Sequence, residues 1–396
     1  MKILAIGGSG GMGRFAVDAA QHFDSVERIV VADLNESSAQ DFAAQLNNKV
    51  SSMGLDVSDD VALRKAMANT DLVINTCGPF YRYGVPVLQA AIDTGCHYVD
   101  ICDDWEPTVE MLKLDQQAKD ADVCAIVGLG ASPGISNMLA LMAMQELDSV
   151  ATLYTGWDLG GATPEGESSQ AGVNAAMLHG IEQMTGKVRI FRNGAFELTK
   201  PMAPVPVRFP GLTPFQGYIF GHPEAVTFPH NYPQLRESIN LAHGGDIDSW
   251  LLKGILALVN RGLISRSRAA ALLTWFEKHR GASNEKRDSD APPAMYGMAI
   301  GTKGAEAGVV GVAWVGEAVE IGGDSGLSMG AVTGAPLACG AKLLSEGQIK
   351  KTGVFSPEAG HIEPREFLTE VFAQLEKFGN LSSSALEDNI RISRSW

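Results

Sequence analysis

Residues 7–13 read Gly-Gly-Ser-Gly-Gly-Met-Gly and follow directly on the apolar run 2–6, Lys-Ile-Leu-Ala-Ile. Five residues suit a buried strand and are too few for a helix. Residues 14–23 then place Phe15, Ala16, Ala19, Ala20 and Phe23 at helical spacing. A strand, a glycine-rich turn and a helix in that order restrict the chain to few architectures. Gly8, Ser9, Gly10, Gly11, Met12 and Gly13 fit the spacing G-x-G-x-x-G. The next apolar run, 28–33, ends on Asp33, twenty residues after Gly13. That combination is the fingerprint of a dinucleotide site. Gly8 permits the tight turn, Gly10 lets backbone approach a pyrophosphate, and Gly13 allows close packing of helix on strand. The free N–H groups of the helix N-terminus favour the phosphate charge.

Asp33 is placed to accept hydrogen bonds from the adenosine ribose hydroxyls, and its charge repels a 2′-phosphate. Leu34, beside the same ribose, and Asn35 supply no cation to offset that charge. The expected cofactor is NAD(P), with NAD favoured; Arg14 is the nearby cation that could serve a phosphate. Asp33 could alternatively be only a helix cap. Asp56 and Val57 close the third strand, where side chains can flank the adenine, although Asp after a strand is also ordinary turn chemistry.

Strand-like runs at 51–56, 72–76, 97–101 and 123–127 alternate with helical patterns at 60–68, 86–94 and 108–120. Repeated strand–helix units with apolar strands give an α/β fold with a doubly wound parallel sheet covered on both faces. The chain has 396 residues, enough for two or three domains at roughly 150 residues each. With 45% hydrophobic and 19% charged residues it can build full cores. A net charge of −15 repels a phosphate backbone, so no nucleic acid is expected as partner. The five cysteines are scattered and form no CxxC pair, which suits reduced thiols in the cytoplasm. No apolar stretch reaches the length of a membrane span, so no membrane partner is expected.

Three further stretches carry a resemblance: Asn75-Thr-Cys-Gly-Pro-Phe-Tyr-Arg-Tyr-Gly84, His97-Tyr-Val-Asp100 and Gly130-Ala-Ser-Pro-Gly-Ile-Ser-Asn137. With Thr333-Gly-Ala-Pro336 and the segment 347–358, they resemble the saccharopine dehydrogenase-like oxidoreductases, including saccharopine reductases and carboxynorspermidine dehydrogenases. The likeness covers both ends of the chain and is loose over 151–330. It implies a Rossmann domain over 1–130. It also implies an α/β domain with a mostly antiparallel sheet for substrate and dimerisation over 131–330, and a segment 331–396 returning to the Rossmann domain. It further implies a homodimer, and a loop with Cys77, Gly78, Pro79, Phe80 and Tyr81 beside the cofactor. The implied reaction is NAD(P)-dependent hydride transfer at an amine or imine carbon of an amino-acid or polyamine-like small molecule. A carbonyl or 2-hydroxy-acid reductase is the alternative on the same scaffold, and a non-catalytic NAD(P)-sensing protein is the rival outside enzymes.

In the second half, 152–157 reads as a strand and 160–168 as a polar loop. Residues 171–185 read as a helix, 187–191 and 195–198 as a hairpin around Asn193-Gly194, and 201–214 as extended. Two amphipathic helices are expected at 247–260 and 266–279, an exposed loop at 281–293, paired strands at 296–301 and 308–318, and a helix at 331–346. Tyr81 and Asp100, expected at strand ends by the nicotinamide, are the catalytic candidates. Cys77 and Cys102 could act as nucleophiles, but packing is the simpler role. His222, His230 and His243 could donate protons, and Arg192, Arg208 and Arg236 could clamp a carboxylate. No H-x-x-x-H or H-E-x-x-H spacing exists, so no metal is expected.

Overall fold

The computed structural model describes residues 1–160, 162–163, 175–244, 247, 249–279, 291–319 and 327–396. Most of the expected loop at 160–168, the first residues of the helix at 171–185 and most of the loop at 281–293 lie outside the described residues. The chain divides into two compact units. The first is Met1–Met138 with Gly316–Asn389, and the second is Leu139–Val315 with Ile390–Trp396.

The first unit begins β1 (Lys2–Ile6), α1 (Gly13–Ala20), β2 (Arg28–Asp33), α2 (Glu36–Ala43), β3 (Val50–Gly54), α3 (Asp60–Met67), β4 (Leu72–Asn75) and α4 (Phe80–Thr94). It continues with β5 (His97–Asp100), α5 (Trp105–Leu112), α6 (Asp115–Asp120) and β6 (Cys124–Ile126). All strand pairs are parallel, in the order β6-β5-β4-β1-β2-β3, and the strand Gly353–Phe355 joins beside β6 to make seven. The order reverses at β1, between β4 and β2, and ligands of open α/β sheets bind outside the C-terminal strand ends at such a point. Helices on both faces explain the continuous apolar runs: Ile3, Leu4, Ala5 and Ile6 are all at most 2% exposed, and β4 is buried throughout. Each such Ile or Leu contributes about 1.5–3 kcal/mol on burial.

Local chemistry sets the helix starts. The side chain of Asn35 accepts from the Ser38 N–H, and that of Asp59 from those of Val61 and Ala62. Two helix expectations needed correction. The helix expected at 86–94 starts at Phe80 and runs through Pro86. The helix expected at 108–120 is two helices, broken at Lys113 and Leu114.

The second unit holds a nine-stranded sheet. Its main path runs Ala195–Thr199, Val188–Arg192, Glu237–His243, Ser149–Asp158, Met295–Lys303, Glu306–Trp314, Ile390–Arg394. Only the pair of Glu237–His243 with Ser149–Asp158 is parallel; the others are antiparallel. The hairpin at Asn193-Gly194 has φ of 54° and 77°, the paired positive values of a type I′ turn. The strand Glu237–His243, central and almost wholly buried, has no counterpart among the sequence expectations.

The expected boundary at 130/131 moves to 138/139, because residues 130–137 fold back on the first unit. Gly130 N–H donates to Pro133 O (2.8 Å), Gly134 N–H to Asn137 Oδ1 (2.7 Å), and Asn137 Nδ2 to the buried Glu358 Oε2 (2.8 Å). Gly134 has φ of 126°, and a Cβ there would lie 1.9 Å from Gly130 O, so this turn requires glycine. The end of the chain also differs from expectation. Residues 390–394 leave the first unit and pair with Glu306–Trp314 in the second sheet.

Candidate functional site: a glycine loop at the switch point

The turn after β1 is fixed from three sides. Gly7 N–H donates to Ala32 O at 2.8 Å, joining the loop to β2. Thr76 Oγ1, just past β4, donates to Ile6 O (3.0 Å) and Gly7 O (2.9 Å). Gly13 is held so closely that a Cβ would lie 2.4 Å from Gly7 O, 2.8 Å from Gly8 Cα and 2.8 Å from Thr76 Oγ1. By contrast, a Cβ on Gly10 would meet only Gly7 O, at 3.2 Å. Gly13 is therefore the packing glycine, and Gly10 sits in the roomier part of the loop. Helix α1 starts after Met12 with no side-chain cap, Arg14 N–H in its first turn donates to Gly10 O at 3.0 Å, and the helix dipole favours an anion at this end. The helix Met329–Ser345 backs the loop: Cβ atoms at Gly330 and Gly334 would lie 2.5 Å from Gly11 O and 2.6 Å from Met12 O.

Asp33 lies half-buried at the end of β2 and receives Ser9 Oγ–H at 2.6 Å and Asn35 N–H at 3.1 Å. A carboxylate has lone pairs beyond those two bonds, so capping and ribose binding are compatible. Leu34 beside it is 77% exposed. Arg14 Nη2 donates to Ser9 O at 3.1 Å, and its guanidinium stands 5.5 Å from the Phe42 ring centre. Asp56 and Val57 lie beyond the end of β3. Two hydrogen bonds from Ser58 hold the Asp56 carboxyl below its usual range, with a smaller contribution from Arg82.

Cys77 follows β4. Burial, and then the charges of Asp33 and Asp56, push its thiol up to about 11. Three strand ends therefore share one electrostatic neighbourhood. The same shift keeps the thiol mostly protonated at neutral pH, so it is a slow nucleophile there. Gly78 beside it is exposed, with nothing within 4 Å of a Cβ built there. Pro79 precedes α4, and Phe80 is buried in its first turn.

The two catalytic candidates part company. Tyr81 is not at a strand end; it lies in the first turn of α4 and is 62% exposed. Asp100 does end β5, but it is 0% exposed. It accepts from Tyr98 Oη (2.8 Å), Cys102 N–H (3.0 Å) and Gly128 N–H (2.7 Å). Tyr98 Oη in turn accepts from Asn75 Nδ2 at 2.9 Å, and Asn75 Oδ1 accepts from Cys77 N–H at 3.0 Å. Burial raises the Asp100 carboxyl to about 6. Asp100 is thus a positioning residue: it ties the loops after β4, β5 and β6 into one frame. Cys102 is fully buried, and its thiol is pushed far up by burial and by Asp100.

The remaining candidates lie in the second unit. Arg192 pairs with Glu237 and Glu197, both at 3.1 Å, so its charge is already engaged. Arg208, His230 and Arg236 are exposed. His222 is buried, with Nε2 3.3 Å from Gln183 Oε1 and its ring stacked on Trp157. His243 is buried with Nε2 2.9 Å from Pro293 O. Among the described residues no group of three or more His, Cys, Asp or Glu is arranged to hold a metal ion. The sequence reading gave no role to Asn75, Thr76, Tyr98, Gly330, Gly334 or Glu358. The small-residue spacing Gly330-x-x-x-Gly334 was a visible signal; the polar network was not.

The family model described as saccharopine dehydrogenase NADP binding domain matches residues 3–126. A saccharopine dehydrogenase [NADP(+), L-glutamate-forming] from Pyricularia oryzae is 31% identical over 42% of this chain and 36% of its own length. A carboxyaminopropylagmatine dehydrogenase from Synechocystis sp. is 23% identical over 60% of this chain and 61% of its own. The matched segments thus span less than two thirds of either relative. The solved apo saccharopine dehydrogenase (L-Glu forming) from Saccharomyces cerevisiae aligns over 100% of both chains with a TM-score of 0.63 at 18% identity, a likeness of fold. Over residues 3–126 the chain is thus similar to the saccharopine dehydrogenase NADP binding domain, and its fold is similar to that of the yeast enzyme, in agreement with the glycine loop and the strand order.

Proposed function

We propose that the chain is an NAD(P)-dependent dehydrogenase or reductase that prefers NAD and transfers hydride at a C–N centre of an amino-acid or polyamine-like molecule. The observation that carries this reading is the loop of residues 8–13. It pairs a tightly packed Gly13 and an uncapped helix start with a carboxylate, Asp33, at the end of the next strand. In this reading Gly8, Ser9, Gly10, Gly11, Met12 and Gly13 hold the pyrophosphate. Asp33 and Leu34 hold the adenosine ribose, and Asp56 and Val57 flank the adenine. Cys77, Gly78, Pro79 and Phe80 border the nicotinamide half. The nicotinamide supplies or accepts the hydride when bound. Tyr81, exposed two residues after Pro79, is the catalytic residue and carries the proton at its hydroxyl; Asp100 only keeps the frame in place.

The NAD preference rests on charge. Asp33 and Asp56 both face this end of the sheet, and Arg14 is directed to the Ser9 carbonyl and the Phe42 ring. The C–N assignment rests on the relatives' names. The Synechocystis relative is a carboxyaminopropylagmatine dehydrogenase, and the Pyricularia relative is an L-glutamate-forming saccharopine dehydrogenase. The protein is further proposed to be a cytoplasmic homodimer. Its pairing would use the second unit, whose edge strand Ala195–Thr199 exposes Phe196 and Leu198.

The test is NADH consumption with small 2-keto acids, with and without a primary amine or amino acid. Oxidation that requires both partners supports reduction of an imine formed between them. Equal oxidation with the keto acid alone overturns the C–N reading in favour of carbonyl reduction.

A further inference from the structure

The helices Trp250–Asn260 and Arg266–His279 of the second unit are linked by a short turn. Both bury one face in a single core. Leu252, Ile255 and Leu256 of the first helix, with Ala269, Ala270 and Leu273 of the second, belong to one apolar cluster. Their other faces therefore turn away from that core, and those faces are unusual. Trp250 is 84% exposed, Leu263 in the turn 65%, Trp275 52%, Leu272 39% and Leu258 38%. Scattered exposed leucines are ordinary, but a tryptophan left almost wholly in water on a helix is not.

Charge says what such a face meets. The protein has a net charge of −15, yet the hairpin 250–279 contains Lys253, Arg261, Arg266 and Arg268, with one acidic residue, Glu277, followed in sequence by Lys278. Neighbouring groups engage two of the four. Lys253 lies 5.6 Å from the Tyr218 ring centre, and Arg266 lies 3.9 Å from Glu182. Arg261 and Arg268 are exposed. A second copy of the chain is a poor occupant, because a two-fold contact would set this basic face against itself. Tryptophan and leucine among arginines and lysines on short amphipathic helices are the composition of a segment that lies in a bilayer interface. Among the described residues no helix is long and apolar enough to cross a membrane.

We propose that this helical hairpin docks the protein on an anionic lipid surface, with Trp250 and Leu263 entering the interface and Arg261 and Arg268 facing the headgroups. The inference is independent of the proposed reaction.

The test is co-sedimentation of the full chain with vesicles of phosphatidylcholine mixed with phosphatidylglycerol, against vesicles of phosphatidylcholine alone. The expected result is partition onto the mixed vesicles only, weakened by added salt. Each cation near such a surface is worth about fivefold in partition, so Arg261→Ser with Arg268→Ser lowers it roughly 25-fold. Trp250→Ser with Leu263→Ser lowers it at least about tenfold. All four positions are exposed, and unchanged circular dichroism and NADH affinity verify the fold. No binding by the unaltered chain, or binding unaffected by both double variants, overturns the proposal. So does a Trp250→Ser, Leu263→Ser variant that turns a dimer into a monomer in sedimentation velocity, since the face would then be a subunit interface.

Discussion

Asp100→Asn isolates the cost of keeping an ionised carboxylate wholly buried beneath the site. Burial raises this carboxyl from 3.8 to about 6, against three hydrogen bonds that oppose the rise. At ~1.36 kcal/mol per pH unit the difference is about 3 kcal/mol. The sign follows from proton binding. Between pH 3.8 and about 6 the unfolded chain has released the proton while the folded chain keeps it, so unfolding free energy falls as pH rises through this window. Stability is fully present below pH 3.8 and lost as pH passes about 6. An Asn at this position does not titrate. The assay is urea denaturation of both chains at about pH 4 and about pH 7, read by hydrogen exchange in β1 and β4 so that the first unit is scored separately. The natural chain should lose about 2–3 kcal/mol more than the variant over that interval. Parallel losses would refute the reasoning. A relative gain by the natural chain would show that the three hydrogen bonds outweigh burial.

Two further perturbations address the glycine loop and its border. Gly13→Ala forces a methyl group to within 2.4 Å of Gly7 O; it should cost about 1–3 kcal/mol by overpacking and abolish detectable NADH binding, checked by thermal melts and fluorescence titration. Cys77 is the one cysteine of five that is not buried, so iodoacetamide should label it alone in the native protein. With its thiol near 11, the rate should be slow at neutral pH and rise about tenfold per pH unit. Saturating NADH should protect it; peptide mass mapping reads both effects.

The parallel half of the fold was legible because it is periodic and buried on both faces. Apolar runs such as 2–6 and 72–75 admit few other readings, and the glycines between β1 and α1 mark the switch point. The second sheet was harder. Its central strand, Glu237–His243, carries Asn240 and His243 among its apolar residues, and its partners are distant in sequence, so periodicity did not expose it. Pro86 suits a helix start, but α4 begins a turn and a half earlier, at Phe80, and runs through the proline. At the site, spacing alone places Gly8, Gly10 and Gly13 in the turn between β1 and α1 and Asp33 at the end of β2. Asp100 could not be judged that way: nothing near residue 100 in the chain shows that Tyr98, Cys102 and Gly128 enclose it. Tyr81 likewise lies on a helix that the sequence did not place.

The central claim is that residues 8–13 and Asp33 form a nicotinamide dinucleotide site selective for NAD. It is tested most directly by titrating the purified protein with NADH and with NADPH, following nicotinamide fluorescence, for the natural chain and for Asp33→Ala. The account predicts tighter NADH binding by the natural chain and a loss of that selectivity, about tenfold or 1.4 kcal/mol, in the variant. Preference of the natural chain for NADPH would contradict the role given to Asp33, and failure to bind either dinucleotide would contradict the site itself.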